Sequence, residues 1–254
     1  MRAIPPPKTP LADVDRELRA NGFAVLSSGD LERLAGGDGA GLDRLRACWD
    51  DLPIDAWLRD GGRYRRRRHG CFVVRGESVA AHPHRAHWQP LDYNALHGGI
   101  ERWFEPLASS MVAEPAFSPL LVSLGGHASA LRGSRPWFVE VHPFRIETAG
   151  GIGRPTPEGA HRDGVDLVAL ILIARRGVRG GETRVFDADG PRGTRFVLDE
   201  PWTTLLLDDA RVVHETTPIQ PLHPGEDGHR DTLVVTFRAE GFQAPGGSDP
   251  GLSA

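Results

Sequence analysis

The second half of the chain carries a series of short apolar segments, each of strand length, with no helical periodicity between them. These segments cover residues 138–146, 166–173, 180–187, 203–209, 211–214 and 231–238. Turn dipeptides such as Asp189-Gly190 and Arg192-Gly193 separate them. Short strands without helical connections pair mainly in antiparallel fashion, so the sequence predicts a β-sandwich or jelly roll.

The first half of the chain has mainly helical spacing, for example over residues 99–132, and these helices are expected to cover one face of the jelly roll. We therefore predict one α+β domain, residues 1–254. It has three parts: a proline-rich loose tail (1–10), mostly helical support with a few early strands (11–135) and the jelly-roll core with the metal site (136–240).

Charge and composition exclude several classes of protein. A formal net charge of −4 argues against nucleic acid and anionic membranes as partners. The two cysteines, Cys48 and Cys71, are too few for a disulfide framework or a thiolate zinc cluster. No apolar run is long enough to span a bilayer, and the first residues lack the apolar stretch of a signal peptide. We therefore expect a cytoplasmic protein, and the sequence carries no prediction of its oligomeric state.

His161 and Asp163 stand two residues apart, directly before the apolar run at 167–173. If this stretch is extended, both side chains project to the same side and Arg162 points away, because side chains alternate along a strand. An imidazole and a carboxylate on one face are two thirds of a His-Asp-His metal triad. His214, on a later segment, is the candidate for the third ligand. The sequence therefore predicts a catalytic metal centre of His161, Asp163 and His214.

Two imidazoles and one carboxylate, with no thiolate, favour a borderline divalent metal with open coordination positions. This is the facial triad of non-haem Fe(II) oxygenases, although the same ligands also suit a catalytic zinc. The last segment favours the oxygenase. Arg230 and Thr232 share one face of it, while Leu233, Val235 and Phe237 share the apolar other face. Since a guanidinium offers planar paired donors to a carboxylate, Arg230 and Thr232 are candidates to bind a dicarboxylic co-substrate.

Other segments carry candidate substrate-binding residues. Residues 63–68 contain five arginines, and alternate arginines of a strand, Arg66 among the candidates, can form an anion-binding wall. The alternatives are a charged strand edge and, less favoured, a nucleic-acid patch. Gln89 and Tyr93 are candidates to line a pocket, although aromatic residues are more often part of the core. The histidines of residues 82–87 have no carboxylate nearby in the sequence, which favours a plain loop over a metal site.

The order of these motifs resembles that of the Fe(II)/2-oxoglutarate-dependent dioxygenases: a His-x-Asp pair, a distant histidine, then Arg-x-Thr on a final strand. More narrowly, several segments look like a bacterial branch of free L-amino-acid hydroxylases that includes isoleucine dioxygenase and a pipecolic acid hydroxylase. These segments are residues 161–164, 180–183, 208–209, 217–219 and 230–237.

The resemblance implies a double-stranded β-helix, another name for this jelly-roll core, and three cofactors or co-substrates: Fe(II), 2-oxoglutarate and O₂. The implied reaction hydroxylates an unactivated C–H bond of a free L-amino acid, aliphatic or cyclic such as proline or pipecolic acid, and releases succinate and CO₂. By the same resemblance Arg230 and Thr232 hold the far carboxylate of 2-oxoglutarate, and Arg145 grips the substrate carboxylate. Because 16 positions separate His214 from Arg230, Arg238 is the second candidate for the 2-oxoglutarate arginine.

Three other functions are compatible with these residues. A dioxygenase acting on a protein-bound or carrier-bound residue would have an open, shallow substrate mouth. A zinc hydrolase could use the same triad, although no obvious general base lies beside it. A non-catalytic jelly-roll binding module would use the arginine stretch as its interaction surface.

Overall fold

Antiparallel strands dominate the computed structural model, which describes residues 4–37 and 39–249. Within these residues the α-helices are α1 (Val14–Asn21), α2 (Ser28–Leu34), α3 (Gly39–Leu45), α4 (Ser109–Val112) and α5 (Phe117–Arg132). Short 3-10 helices at Leu11–Asp13 and Arg46–Trp49 precede α1 and follow α3. The strands are β1 (Phe23–Leu26), β2 (Arg65–Arg67), β3 (Gly70–Arg75), β4 (Ser78–Ala81), β5 (Trp137–Glu147), β6 (Leu167–Arg176), β7 (Val178–Gly180), β8 (Thr183–Asp187), β9 (Gly193–Phe196), β10 (Thr204–Leu207), β11 (Val212–Thr216), β12 (Ile219–Pro221), β13 (His229–Arg238), β14 (Phe242–Ala244) and β15 (Gly247–Asp249).

The scaffold is a major sheet of eight strands in the order β1-β10-β6-β13-β5-β3-β4, with β2 also paired to β5. β13 lies near its centre and pairs along its whole length with β5, from His229 opposite Glu147 to Arg238 opposite Phe138. The long strands β5, β6 and β13 are rich in the β-branched and aromatic residues that favour a sheet. Their fixed register decides which side chains reach each face.

The two faces of the major sheet have different neighbours. Leu233 and Phe237 of β13 are at most 1% exposed and belong to the main apolar core, which also contains residues of α1, α2, α3 and α5. Arg230 and Thr232, on the opposite face of the same strand, line a cavity. The alternation in the sequence of β13 therefore predicts both faces correctly.

Shorter strands form a second layer over the cavity side of the sheet. They pair as β11-β8-β9 and β12-β7. Val185, Phe196 and Val212 of this layer share a second apolar cluster with Leu170 and Leu205 of the major sheet. Two facing antiparallel layers with helices on the outer face of one are a jelly-roll core, so the predicted fold class is confirmed.

The proline-rich start of the chain is not a loose tail. Thr9 is buried, and its backbone N–H donates to the carbonyl oxygen of Val25 at 2.7 Å. The carbonyl oxygen of Ile4 accepts a hydrogen bond from the N–H of Val197 at 2.9 Å. Residues 4–10 therefore dock on the domain, while residues 1–3 of the predicted tail lie outside the described residues.

The helical pattern over residues 99–132 is only partly realised. Helices α4 and α5 occupy its second part, but residues 99–108 form no helix. There the backbone of Arg102 exchanges two hydrogen bonds with His87, at 2.9 and 3.0 Å, and this bridge excludes a helical conformation. Among the described residues, no helix has the length and apolar character needed to cross a bilayer.

Candidate active site

His161 and His214 lie directly opposite each other on neighbouring segments. The backbone N–H of each donates to the carbonyl oxygen of the other, at 3.0 and 2.9 Å. Both side chains therefore leave the backbone on the same side, with their ring centroids 4.6 Å apart. Asp163 completes the group: its Oδ1 lies 3.7 Å from Nε2 of His161, and its Oδ2 lies 4.0 Å from Nε2 of His214. The sequence prediction that these three side chains converge matches this geometry.

The three side chains fit a ferrous ion. Nδ1 of His161 donates to the carbonyl oxygen of Gly159 at 3.0 Å, which leaves Nε2 as the atom that can bind a metal. Burial lowers the pKa of His214 well below its ordinary value, and the neighbouring His161 adds to the effect, so this ring is neutral. One ligand atom from each of His161, Asp163 and His214 lies within 4.8 Å of the others. Two imidazoles and one carboxylate are the donor set of a facial Fe(II) site.

Asp209 fixes the backbone that carries Asp163. Its Oδ1 accepts from the N–H of Asp163 at 3.0 Å, and its Oδ2 accepts from the N–H groups of Gly164 and Val165 at 2.7 and 3.1 Å. Burial, together with the nearby Asp163 carboxylate, raises the pKa of Asp209 to about 7. Three backbone donors on one buried carboxylate hold Asp163 in a single direction.

Replacing Asp209 with asparagine is expected to weaken metal binding without removing a ligand. An asparagine amide has one acceptor oxygen, so at least one of the three backbone donors loses its partner. Loss of such outer support typically costs about 10- to 100-fold in metal affinity. Anaerobic titration with Fe(II) measures the effect, and an affinity equal to that of the wild type would contradict this role. Asp208→Asn is the matched control, because Asp208 pairs instead with Arg132.

A cavity of about 120 Å³ lies between the two layers, and the triad forms part of its wall. Arg230 lines this cavity, is 2% exposed, and has no hydrogen-bond partner for Nε or Nη2 among the described residues. Burial lowers the pKa of Arg230 to about 10, with nearby Arg175 contributing, so the group stays charged at neutral pH. A buried cation without a partner is costly unless an anion binds to it. The far carboxylate of 2-oxoglutarate fits this position, with Thr232 next to Arg230 on the same face.

Arg238, the second candidate for the 2-oxoglutarate arginine, does not line this cavity. Its Nη1 donates to the carbonyl oxygen of Gly241 at 2.7 Å, and it borders a separate surface depression. The position of the two side chains therefore favours Arg230.

Three of the predicted substrate-binding residues are wrong in position, because they lie outside the cavity. Arg145 is on the other face of β5, where Nε and Nη2 each donate to one oxygen of Asp231 at 2.8 Å. Arg66 lies opposite Arg145 in the register and pairs with Glu147 at 2.9 Å. Tyr93 borders the separate depression beside Arg238.

Gln89 is the predicted substrate-binding residue that does line the cavity. Its Nε2 donates to Oδ1 of Asp163 at 3.3 Å. Its Oε1 accepts from Nη2 of Arg102 at 2.9 Å and from Nδ2 of Asn94 at 3.1 Å. Gln89 therefore connects the triad to a buried arginine.

Several cavity residues are not among the predicted site residues: Arg65, Arg67, His87, Arg102, Glu140, His142 and Glu158. Strand alternation could have identified two of these residues. Arg65 and Arg67 flank Arg66 and therefore face the opposite side of the strand from it. Among the histidines at 82–87, His87 reaches the cavity and meets Glu140 from a distant strand, whereas His82 and His84 lie in irregular structure, as a plain loop predicts. Arg102 lies in an irregular segment, where sequence periodicity offers no signal.

Comparisons with known proteins agree with this geometry. A family model described as 2OG-Fe dioxygenase matches residues 46–236. The crystal structure of a bsmA homolog from Methylobium petroleophilum PM1 is 54% identical, with a TM-score of 0.88, and the match covers 96% of this chain and 99% of that chain. IDO from Bacillus thuringiensis is 19% identical with a TM-score of 0.71, covering 91% of this chain and 95% of that chain. The Fe(II)/(alpha)ketoglutarate-dependent dioxygenase TqaL is 20% identical with a TM-score of 0.72, covering 94% and 90%. A search of curated proteins finds no match.

The two structures at or below 20% identity establish likeness of fold alone. The family model carries the functional assignment, because the matched range contains most of the chain, with His161, Asp163, His214 and Arg230 inside it. Since this range includes both the candidate metal ligands and the candidate co-substrate arginine, the chain belongs to the 2OG-Fe dioxygenase family and is an oxidoreductase that uses Fe(II), 2-oxoglutarate and O₂.

Proposed function

We propose that this enzyme hydroxylates an unactivated C–H bond of a free L-amino acid, aliphatic or cyclic, and forms a hydroxy amino acid, succinate and CO₂. The observation that carries the proposal is one cavity whose wall contains both the His161–Asp163–His214 triad and Arg230, whose Nε and Nη2 have no partner among the described residues. A metal at the triad and a co-substrate at Arg230 would then both face a substrate that enters the same cavity.

The protein contributes binding and orientation. His161, Asp163 and His214 would hold iron, while Arg230 and Thr232 would hold the far carboxylate of 2-oxoglutarate. When bound, iron and 2-oxoglutarate supply, with O₂, the oxidation of the C–H bond. The surrounding side chains place the target carbon and keep bulk water out of the cavity. Asp163 acts as a ligand, and no general base is required of it.

The buried wall supports a free small molecule over a protein-bound or carrier-bound residue. Arg67, Arg102 and Glu140 line the cavity and are at most 6% exposed. A tethered residue needs a broad, shallow mouth, whereas deep charged groups suit a ligand that is taken up entirely. Charges of both signs on this wall also suit a zwitterion.

The experiment is a succinate-release screen over proteinogenic and cyclic L-amino acids with Fe(II), 2-oxoglutarate and O₂. We expect at least one of them to stimulate succinate formation by about tenfold or more, because a site that hydrogen-bonds its substrate discriminates strongly. Mass spectrometry should find a product with one added oxygen atom. Stimulation by peptides or carrier-bound residues alone would overturn the proposal in favour of that alternative.

A further inference from the structure

A cluster of buried polar side chains lies beside the triad on the cavity wall. Oε1 of Glu140, on β5, accepts from Nε2 of His69 at 2.9 Å and from Nδ1 of His87 at 3.2 Å. His142 stacks on His69 with 4.8 Å between ring centroids, and Nη2 of Arg67 donates to Nδ1 of His142 at 2.7 Å. None of these five residues is more than 7% exposed.

Glu140 is ionised and presents a free oxygen. Burial by itself favours the neutral carboxyl group, but His87 and His69 hold the pKa of Glu140 well below its ordinary value. Burial lowers the pKa of His87 to about 3, so this ring is neutral and acts as a donor. Both histidine hydrogen bonds end on Oε1, and Oε2 accepts none from a described residue. Because Glu140 lines the cavity, an ionised oxygen is available there to a cationic group.

Two guanidinium groups lie close to the same cluster. Arg67 stacks on Phe104 and Phe144, 3.8 and 4.3 Å from the ring centroids, and Arg102 lies 5.9 Å from the centroid of Phe104. The Nε atoms of Arg67 and Arg102 are buried and have no hydrogen-bond partner among the described residues. Both cations line the cavity, and each has hydrogen-bonding capacity that no described residue uses.

The charged groups of the wall indicate what kind of ligand suits the cavity. Four arginines and three carboxylates line the cavity, and a fourth carboxylate, Asp55, pairs with Arg65 at 2.7 Å. The lining members are Arg65, Arg67, Arg102, Arg230, Glu140, Glu158 and Asp163. The wall therefore presents charged groups of both signs to a ligand, and a ligand that carries both signs of charge complements it.

His87 and Gln89 set the distance from this cluster to the triad. They lie two residues apart beside the bridge with Arg102, and both line the cavity. Side chains two positions apart on an extended segment are separated by roughly 6–7 Å. His87 contacts Glu140, and Gln89 contacts Asp163. A ligand whose charged end lies at Glu140 therefore places carbon atoms a few bonds away near the triad.

Glu158 is a competing carboxylate, because its Oε2 is buried without a partner among the described residues. Its Oε1, however, lies only 3.6 Å from Nε2 of His161. An ammonium group at Glu158 would lie beside the metal position, where two cations repel each other. Glu140 avoids this conflict, since its hydrogen-bond partners are the imidazoles of His69 and His87 and not a metal ligand.

The cluster is less suited to a second metal ion. Donor atoms of His69, His87, Glu140 and His142 do lie within 4.8 Å of one another. The cluster has one carboxylate, however, and the Arg67 cation already donates to the ring of His142. A divalent cation bound by all four groups would have to displace Arg67 from the ring of His142, and a single carboxylate would balance only half of its charge.

We propose that Glu140, Arg67 and Arg102 form the headgroup site of an α-amino acid. Oε2 of Glu140 accepts hydrogen bonds from the ammonium group, and the two guanidinium groups bind the carboxylate. His69 and His87 are positioning residues that hold Glu140. This inference rests on the proposed function for its choice of substrate, and it implies that oxidation falls on a side-chain carbon and not on Cα.

The test is calorimetric titration of the anaerobic holoenzyme, loaded with Fe(II) and 2-oxoglutarate, so that binding is measured without turnover. The first probe is the L-amino acid that stimulates succinate release most strongly, or each member of the panel in turn if none stimulates it. The other probes are two analogues with the same carbon skeleton. One analogue lacks the amino group and the other lacks the carboxylate. Glu140→Gln should weaken binding of the amino acid by about 30-fold or more. It should change the dissociation constant of the analogue without an amino group by no more than about threefold.

The controls separate this site from general damage. Glu147→Gln changes a carboxylate on the other face of β5 and should bind all three ligands like the wild type. Arg102→Gln should weaken binding of the amino acid and of the analogue without an amino group. Binding of the analogue without a carboxylate should be retained. If Glu140→Gln does not fold, Arg102→Gln with the same three ligands carries the test.

The headgroup site would be overturned if Glu140→Gln still preferred the amino acid over the analogue without an amino group as strongly as the wild type does. It would also be overturned if Glu158→Gln lost that preference instead. An amino acid that binds in this pattern without being hydroxylated would contradict the proposed function and leave the headgroup site standing. If Glu140→Gln binds an amino acid with wild-type affinity and hydroxylates it, the headgroup site is wrong and the proposed function stands. If no amino acid binds to the wild type, both are wrong.

Discussion

Alanine in place of His161 is expected to reduce Fe(II)-dependent succinate formation by more than about 100-fold, because loss of a ligand costs more than loss of the hydrogen bonds that support one. His161 provides one of three donor atoms that lie within 4.8 Å of one another. The pair that remains, Asp163 and His214, is a weak site for a divalent ion. The measurement compares succinate release by wild type and variant at equal iron and 2-oxoglutarate.

Two comparisons make this result specific. The melting temperature of the metal-free variant should stay close to that of the metal-free wild type, since the change removes no residue of the apolar core. His223→Ala removes an imidazole from an exposed loop and should retain full activity. Turnover at the wild-type rate in a folded His161→Ala protein would contradict the assignment of this ligand.

Glutamine in place of Arg230 is expected to raise the dissociation constant for 2-oxoglutarate by roughly 30- to 4,000-fold. Removing one partner of a buried charge pair costs about 2–5 kcal/mol, and each 1.4 kcal/mol corresponds to about tenfold in affinity. Arg230 is expected to contact 2-oxoglutarate and not the metal, so the affinity for Fe(II) should change little. Equilibrium binding of 2-oxoglutarate to the anaerobic Fe(II) protein measures it.

Arg238→Gln is the matched control for Arg230→Gln, because Arg238 was the alternative by sequence and lies on the same strand. It should bind 2-oxoglutarate like the wild type. Without 2-oxoglutarate, Arg230→Gln should be at least as stable as the wild type, since it removes a buried cation whose Nε and Nη2 have no partner in the part of the chain that the structure describes. A large loss of 2-oxoglutarate affinity in Arg238→Gln, with none in Arg230→Gln, would reverse the assignment.

Local alternation explains why the triad and Arg230 could be predicted from the sequence. His161 and Asp163 are two residues apart, and Arg230 and Thr232 are two residues apart, so each pair needs only an extended backbone to share a face. The apolar residues between Arg230 and Arg238 identify the core face of β13 without reference to any other strand. Asp209, which orients Asp163, lies 46 positions further along the chain, so its contact has no comparable local signal.

The substrate side of the cavity could not be predicted in the same way. Arg66 and Arg145 lie opposite each other on the wrong face, because a shift of one residue moves a side chain from one face to the other. β2 is only three residues long, so its own sequence does not fix its orientation. Arg102 and His87 come from irregular segments that meet through a backbone bridge, and no periodicity marks such a contact.

The stoichiometry of Fe(II) in the anaerobic protein distinguishes the triad from the second group of possible ligands among the described residues, His69, His87, Glu140 and His142. We expect one iron per chain in the wild type, its loss in folded variants of His161, Asp163 or His214, and its retention in His87→Asn. Iron that persists when the triad is removed, or that disappears with His87, would contradict the assignment of iron to the triad.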